Sequence, residues 1–425
     1  MNISRDSQAI ILLCSSLAIP RKGEKSEENL IPFTLPEWNV IARKLAASVL
    51  KSPEAFFRTD PEEWQEHLGL SRKEADRIAK LLSRSGQLAI ELERLESLGV
   101  WVVTRADPFY PSRLKSLLKQ QAPLVLFGAG EPGLLQVEGV AVAGARDVDA
   151  LGAGFAARLA ERCVDEGLIV ISGGARGVDK IAQDSALAAG GKAVSILADS
   201  LEARLRQRQV REAVLSGCLV LLSSSHPAAR FTVGAAMCRN KYIYALSRYA
   251  VVVSASLNKG GTWAGAVENL KHGWVPLFVR GGENIPEGNR RLIEKGGIPL
   301  EPELLGGEGG LRAVLESYGA EAGYAQPAET NNPSLARAKV RDSQLANERG
   351  LFDIVWPYIE RELDSPKTEE ELAEKLRVRR GQMQDWLKKA QELGRVQKTA
   401  RPVRYVSALD PKKGGQLALF EGIKS

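Results

Sequence analysis

The chain has 425 residues, of which 44% are hydrophobic and 26% charged, so it is long enough for two or three domains with apolar cores. No apolar run reaches membrane-spanning length, and four widely spaced cysteines with three histidines offer no cluster with metal-ligand spacing. These features exclude a membrane-spanning protein and a metal module, and they predict a reduced, cytoplasmic protein that needs no cofactor.

Residues 1–105 predict a small helical domain. The apolar run 9–19 predicts a buried helix and not a secretion signal, because only Arg5 precedes it and Asp6 offsets that charge. Further helices are predicted over 38–50, 61–68, 71–83 and 87–98, with Ser71 and Glu74 as a capping box. The Leu68-Gly69-Leu70 turn is similar to that of SAM and helix-hairpin-helix domains, so a DNA phosphate site and plain helical packing both stay open.

Residues 106–305 alternate between apolar β-rich runs and amphipathic helical runs. The predicted strands lie near 124–127, 140–143, 168–171, 193–197, 218–222, 250–254 and 275–279. Near-continuous apolar strands joined by helices predict an α/β fold with a parallel sheet covered on both faces. A ligand of such a sheet lies beyond the carboxyl ends of its strands.

One glycine-rich loop follows the predicted strand 168–171 and precedes a helical run over 181–189. It holds Ser172, Gly173, Gly174, Arg176 and Gly177. Glycines at the start of a helix leave backbone N–H groups free to bind an anion. With a fixed cation inside the loop, the sequence predicts a phosphate site.

Two other loops carry cations to the same predicted edge of the sheet. Gly144 and Arg146 follow the strand 140–143, while Arg239, Asn240 and Lys241 lie further along the chain. A cationic groove with glycine amides tracks a phosphodiester backbone without reading its sequence, and the asparagine is placed to orient a phosphate or a base edge. The alternative for the arginines is an internal ion pair with Asp147, Asp179 or Glu268.

The C-terminal region is predicted to contain a flexible linker over 306–348 and a winged helix over 349–407. Residues 377–413 hold eleven Lys and Arg against three Asp and Glu, a local charge of +8, whereas the rest of the chain is near −2. The predicted DNA contacts of the winged helix are Arg379, Arg380, Lys388, Lys398 and Arg401. A protein-binding role for this module stays open.

The tail, residues 408–425, contains a short peptide with four informative residues. Gln416, Leu417, Leu419 and Phe420 match the Q-L-x-L-F peptide by which many bacterial replication and repair proteins bind the sliding clamp. The amide satisfies hydrogen bonds while the apolar side chains fill a groove. The alternative is that these apolar residues pack back onto the winged helix.

The ordered set of motifs over residues 35–300 resembles the DNA-processing protein A (DprA, or Smf) family. Neither a P-loop nor a G-x-G-x-x-G fingerprint is present. The matching segments are Ala143–Arg146 for V-G-S-R, Ser172–Asp179 for S-G-x-A-R-G-I-D, Arg239–Lys241 with Leu246-Ser247 for R-N-R/K…L-S, 110–127 for the Y-P…L-F lead-in, and 288–293 for G-x-N-x-L-I. The resemblance implies a Rossmann-like core that binds single-stranded DNA without catalysis, commonly as a homodimer, and helps load RecA recombinase.

The sequence departs from the family pattern in three loops. The usual tyrosine-proline loop is replaced by Ala198-Asp199-Ser200 and a run with Arg204, Arg206, Arg208 and Arg211. The family's S-E-x-P becomes Ser224–Pro227, and its G-S-x-x-T-A becomes Gly260–Gly265. These changes reshape the rim of the predicted phosphate site.

Two other function classes compete with a DNA-binding mediator. A nucleotide-derivative hydrolase on the same fold carries P-G-G-x-G-T-x-x-E, but here Glu268 lies six residues beyond Thr262, out of register. A nucleotide-sensing regulator would use the winged helix to bind a defined duplex site. Competition between single strand, duplex and nucleotide separates the three.

Overall fold

The computed structural model describes residues 3–19, 30–306, 310–324, 356, 359–360, 362–363, 365–375, 380–399 and 403–407. The chain divides into two compact units, Met1–Gln326 and Pro327–Ser425. Within these described ranges, no helix is both long and apolar enough to cross a membrane.

The N-terminal residues form helices, as the periodicity predicted. They are α1 (Arg5–Cys14), α2 (Leu35–Ala47), α3 (Pro61–Leu68), α4 (Arg72–Leu82) and α5 (Ser85–Ser97), with a 3-10 turn at Pro53–Phe57. The apolar stretch of α1 is buried from Ala9 to Leu13, which confirms the predicted buried helix.

The turn between α3 and α4 is closed by side chains of the protein itself. Gly69 takes a left-handed φ of 56°, and its carbonyl accepts a hydrogen bond from Lys44 Nζ at 3.0 Å. At the start of α4 the Glu74 carboxylate accepts from the Ser71 N–H at 2.8 Å, and the hydrogen bonds from Ser71 lower its pKa. These contacts tie the turn to α2 and cap the start of α4, which agrees with the helical-packing interpretation of this turn.

The centre of the first unit is a nine-stranded sheet with the order β1-β2-β6-β5-β4-β3-β7-β8-β9. The strands are β1 (Val100–Thr104), β2 (Val125–Ala129), β3 (Gly139–Gly144), β4 (Ile169–Ser172), β5 (Ala193–Ile196), β6 (Leu219–Ser223), β7 (Tyr249–Ser254), β8 (Leu277–Arg280) and β9 (Ile298–Leu300). In this spatial order, every neighbouring pair in the stretch β6-β5-β4-β3-β7-β8-β9 is parallel. The predicted α/β fold with a parallel sheet is confirmed over these strands.

The edge of the sheet corrects one prediction. β2 pairs antiparallel with β6, Phe127 opposite Ser223, and β1 pairs antiparallel with β2. Only the 3-10 turn Pro132–Gln136 lies between β2 and β3, whereas a connection between parallel strands needs a crossover of a dozen or more residues. β2 therefore runs opposite to β3, and so also opposite to β6. The strands β1 and β9 were not among the predicted strands.

Helices cover both faces of the sheet, as predicted. They are α6 (Ser112–Leu118), α7 (Ala150–Asp165), α8 (Val178–Ala188), α9 (Leu201–Leu205), α10 (Arg208–Leu215), α11 (Val233–Leu246), α12 (Gly260–His272) and α13 (Glu287–Glu294). One apolar cluster joins α7 and α8 to the N-terminal helices, and another joins α6, α11 and α12. Because α1–α5 share their core with the sheet, the structure places residues 1–105 and the predicted core in one unit.

A helix also interrupts the predicted linker 306–348. α14 (Leu311–Glu321) buries Leu311 and Leu315 in the cluster beside α7. Its first N–H groups are capped by Glu166, which accepts from Arg312 N at 2.7 Å, and Arg312 pairs with Glu138. The apolar residues after the glycine run are spaced as the buried stripe of a helix, so the prediction of a flexible linker from composition was wrong for α14. Residues 325–348 lie outside the described ranges.

The second unit contains α15 (Glu369–Lys375), α16 (Arg380–Glu392) and the antiparallel pair β10 (Val396–Lys398) and β11 (Tyr405–Ser407). Met383, Leu387 and Ala390 lie on the buried face of α16, and Tyr405 joins the same apolar cluster. The order of these elements agrees with the predicted helices and wing, while the winged helix as a whole stays a prediction.

Candidate nucleic-acid interface

Two adjoining cavities lie at the carboxyl edge of the sheet, where β3, β4, β5 and β7 end. The smaller, called here the arginine cavity, measures about 300 Å³ and is lined by Arg146, Gly173, Ala175, Arg176, Ala198, Asp199, Arg204, Phe231 and Arg239. The larger, called the α12 cavity, measures about 480 Å³ and opens toward Lys259–Thr262. Both are lined by Arg146, Ala175, Phe231 and Arg239, and the two adjoining cavities together are called the groove.

Arg239 is the most buried cation of this groove. It projects from α11, only 8% of its surface is exposed, and its Nε is buried without a hydrogen-bond partner among the described residues. Burial lowers the pKa of Arg239, while Asp179 and Asp199 act in the opposite direction. A buried guanidinium with an unsatisfied N–H is costly unless an anion binds there.

Gly173 has no side chain because Arg239 lies directly over it. A Cβ at position 173 would lie 1.7 Å from Arg239 Nη1, closer than any real contact. The glycine loop therefore determines where the guanidinium lies.

The other arginines of the cavity are more exposed. The Arg146 guanidinium lies 5.6 Å from the centre of the Phe231 ring and makes no ion pair in the described structure. Arg204 donates to Asp199 at 3.0 Å and to the Gly174 carbonyl at 3.1 Å.

Arg176 forms the ion pair that the sequence left open as an alternative. Its Nη2 lies 3.1 Å from Asp147 Oδ1, with 72% of the Arg176 side chain and 87% of the Asp147 side chain exposed. Exposed pairs of this kind contribute little and exchange partners readily. The charge of Arg176 thus stays available at the rim.

The glycine amides do not form the anion pocket that the sequence predicted. The buried Asp179 carboxylate accepts from Gly173 N at 3.0 Å, and the amides of Ala175 and Gly144 also lower its pKa, although burial raises it overall. Gly174 N donates to Ser172 Oγ at 3.3 Å. The Asp179 carboxylate and the Ser172 hydroxyl already accept from these amides, so the arginines provide the positive charge of the groove.

Gly177 and Gly144 have packing roles instead. Gly177 adopts a φ of +82°, and a Cβ there would lie 2.3 Å from the Ala145 carbonyl oxygen. A Cβ on Gly144 would lie 2.4 Å from Val178 Cγ2. These two glycines allow the loops after β3 and β4 to pack against each other, which brings Arg146 and Arg176 to one groove.

Asp179→Asn tests the anchor of the glycine loop. An amide cannot accept all three N–H groups, so we expect the free energy of unfolding to fall by about 1–3 kcal/mol. Urea denaturation of the variant measures the change, with Asp184→Asn on the exposed face of α8 as the control. An unchanged midpoint for Asp179→Asn would contradict the anchoring role.

Asn240 and Lys241 are both held by contacts within the protein, and only Asn240 lies at one of the two cavities. Asn240 lines the α12 cavity, but its Nδ2 donates to the Gly261 carbonyl at 2.9 Å and ties α11 to α12. Lys241 Nζ lies 3.4 Å from Gln121 Oε1 and 5.8 Å from the Tyr242 ring, and it lines neither cavity. Each residue of a helix turns the side-chain direction by about 100°, so Lys241, two residues after Arg239, points about 200° away from it.

Three groove residues were not among the predicted site residues. Arg204 follows β5, Phe231 follows β6 and Lys259 follows β7. Each lies in or just after a segment that leaves the carboxyl end of a parallel strand, so the topology was the signal that could have found them. With them, the groove has five cations (Arg146, Arg176, Arg204, Arg239 and Lys259) against three carboxylates (Asp147, Asp179 and Asp199).

The predicted contacts of the second unit are only partly described. Arg380 pairs with Glu369 at 2.9 Å and also with Glu370, Lys388 is exposed, and Lys398 Nζ lies 5.9 Å from the Tyr405 ring. Lying outside the described residues are Arg379, Arg401, Gln416, Leu417, Leu419 and Phe420. Across the described ranges, no group of three or more His, Cys, Asp or Glu is placed to hold a metal ion.

Known proteins match the part of the chain that contains the groove. A family model described as DNA recombination-mediator protein A matches residues 101–301. A Mycobacterium tuberculosis protein that carries the name DNA processing protein DprA is 31% identical to this chain over 217 residues. The match covers 48% of this chain and 54% of that protein. The Streptococcus pneumoniae DNA processing protein DprA is 28% identical over 194 residues, covering 45% of this chain and 67% of that one.

A solved structure shares the fold. The X-ray structure of DprA from Streptococcus pneumoniae superposes with a TM-score of 0.50 at 20% identity, over 71% of this chain and 95% of that chain. The chain spans about half the length of the Mycobacterium tuberculosis relative. The family model, these relatives and the shared fold confirm the predicted resemblance of residues 101–301, the part that holds the groove, to the DprA/Smf family.

Proposed function

We propose that the chain is a sequence-independent single-stranded DNA-binding protein that acts as a recombination mediator. The observation that supports this most is Arg239, which is buried, has an unsatisfied Nε and faces a groove shared with three further arginines. A phosphodiester oxygen supplies the hydrogen-bond acceptor that this Nε lacks. Charge neutralisation of the backbone makes such binding salt-dependent and indifferent to sequence.

The shape of the groove favours a single strand over a duplex. Arg239 lies inside a recess, and duplex DNA is too stiff to bring one phosphate down to a buried group without a large deformation. The exposed Phe231 ring at the junction of the two cavities offers a face on which a base can stack. Asn240 is engaged with Gly261, which removes one predicted donor to a base edge.

We propose a binding role without catalysis. The buried acid of the groove, Asp179, holds backbone amides of the glycine loop and is not free to act on a bound nucleotide. The family name, DNA recombination-mediator, agrees with a protein that holds a strand for another protein to use. The proposal therefore includes RecA as the partner that receives the strand, a homodimer as the active form and the cytoplasm as the location.

Competition in fluorescence anisotropy tests this function on the full chain. A labelled single strand of about 30 nucleotides should be displaced by unlabelled single strand at least tenfold more effectively than by duplex, and not by AMP. Displacement or hydrolysis of AMP would favour the nucleotide hydrolase instead. Preference for one duplex sequence would favour the nucleotide-sensing regulator.

We also propose that the tail binds the sliding clamp. Phe420→Ala should abolish co-elution of the full chain with the clamp, because an aromatic anchor in an apolar groove dominates such peptide contacts. Single-stranded DNA binding of the same variant should be unchanged. Retained co-elution would refute the assignment of Gln416, Leu417, Leu419 and Phe420 as a clamp peptide.

A further inference from the structure

We infer that the segment α9–α10 extends the nucleic-acid path beyond the groove, with Arg206 and Arg211 binding further backbone phosphates of the same strand. This inference rests on the proposed function and concerns the length of strand that the protein holds. The segment lies where the sequence departs from the family pattern, so it belongs to this chain's own surface.

The segment begins at the wall of the arginine cavity. Ser200 caps α9 directly after β5, and the Ser200 hydroxyl donates to the Pro227 carbonyl at 3.0 Å. One turn later Arg204 bonds to Asp199 and to the Gly174 carbonyl, with its guanidinium lining the cavity. A strand that leaves the cavity past Arg204 therefore meets the end of α9 and the start of α10 next.

Each acidic residue of the segment already has a basic partner. Glu202 pairs with Arg94 at 2.7 Å, Asp199 with Arg204 at 2.9 Å, and Glu212 with Arg208 at 2.8 Å. No carboxylate of α9–α10 is left to neutralise a further cation.

Arg206 and Arg211 are the two remaining cations of the segment. Both are exposed, and within the described structure neither side chain makes a hydrogen bond or an ion pair. They lie on either side of the start of α10, with Arg206 at the end of α9 and Arg211 in the first turn of α10.

The chemistry of these side chains agrees with a phosphate ligand. A guanidinium binds phosphate through paired N–H donors and is less strongly hydrated than an ammonium group. A helix face that only contacts solvent can carry ion-paired residues, such as Arg208 and Glu212. Two unpaired arginines beside a cationic groove favour continuation of the strand.

The length dependence of binding tests this inference on the full chain. Arg206→Gln/Arg211→Gln should weaken binding of a single strand of about 30 nucleotides on the order of tenfold at 0.1 M salt, and lower the salt slope by about 1.4. Binding of a strand of about 6 nucleotides, which the groove alone accommodates, should stay within about twofold. Arg206→Lys/Arg211→Lys should restore most of the slope because it keeps both charges.

Lys271→Gln/Lys295→Gln is the matched control. Both lysines are exposed, at the C-terminal ends of α12 and α13, and these helices run antiparallel to the strands, so the lysines lie at the opposite edge of the sheet. This variant loses the same charge and should bind both strands normally. If α9–α10 extends the path of the strand, only the arginine variant should lose affinity, and only for the long strand.

Two results would overturn the inference. Unchanged binding of the long strand by the arginine variant would make α9–α10 a solvated surface, and equal losses with both strands would assign the arginines to the groove itself. If the proposed function itself were wrong, the unsubstituted chain would bind neither strand, which distinguishes that outcome from the two above.

Discussion

Arg239→Gln should weaken single-stranded DNA binding by about 10- to 100-fold. The change removes a charge-assisted hydrogen bond from the bottom of the groove, and such bonds contribute about 1.5–3 kcal/mol. Because Arg239 offsets the charge of the buried Asp179, its loss should also lower the melting temperature, so binding is measured well below the melting temperature of the variant. Anisotropy titration and thermal denaturation of the same sample measure both effects.

Lys241→Gln is the matched control for this variant. It lies two residues along the same helix and removes the same charge, but its side chain is directed to Gln121 and away from both cavities. We expect binding within about twofold of the unsubstituted chain. If Lys241→Gln and Arg239→Gln weakened binding equally, the general charge of α11 would be responsible and the groove would not.

Gly173→Ala should lower the affinity for single-stranded DNA by about tenfold without adding or removing a charge. The new Cβ would lie 1.7 Å from Arg239 Nη1, so the guanidinium has to leave its position over the loop. Gly173 does not have a positive φ, and the backbone accepts alanine without strain. The loss should therefore appear as a faster dissociation rate in stopped-flow measurements, because displaced contacts act mainly on dissociation.

Gly154→Ala controls for a glycine replacement as such. Gly154 lies within α7, and a Cβ there meets nothing within 4 Å. Alanine in a helix interior is about 0.5–1 kcal/mol more favourable than glycine, so this variant should be slightly more stable and bind normally. Normal binding by Gly173→Ala would show that Arg239 does not need its observed position.

The sequence predicted the parallel part of the sheet well, and the reason is physical. Strands buried on both faces are almost wholly apolar, as in Val140–Val142 and Tyr249–Val253, and helices of regular length separate them. β1 is half-buried, and β9 has an exposed proline between two buried residues, so neither shows that pattern. The antiparallel pairing of β2 depends on the short connection to β3, which a count of apolar runs does not reveal.

The sequence predicted which arginines gather at the candidate groove, but it did not predict the hydrogen bonds of the neighbouring side chains. The sequence shows which loops leave the carboxyl edge, and it placed Arg146, Arg176 and Arg239 there. It does not show that Asp179 turns back to accept from the amide of Gly173, nor that α11 directs Lys241 toward Gln121. Both facts depend on side-chain direction within a packed fold, which local spacing does not determine.

A crystal structure of the full chain with a short oligothymidylate shows directly whether the groove binds a strand. We expect a backbone phosphate within hydrogen-bond distance of the Arg239 guanidinium, with neighbouring phosphates near Arg146 and Arg204. An oligonucleotide bound elsewhere on the protein, with the arginine cavity holding no phosphate, would contradict it.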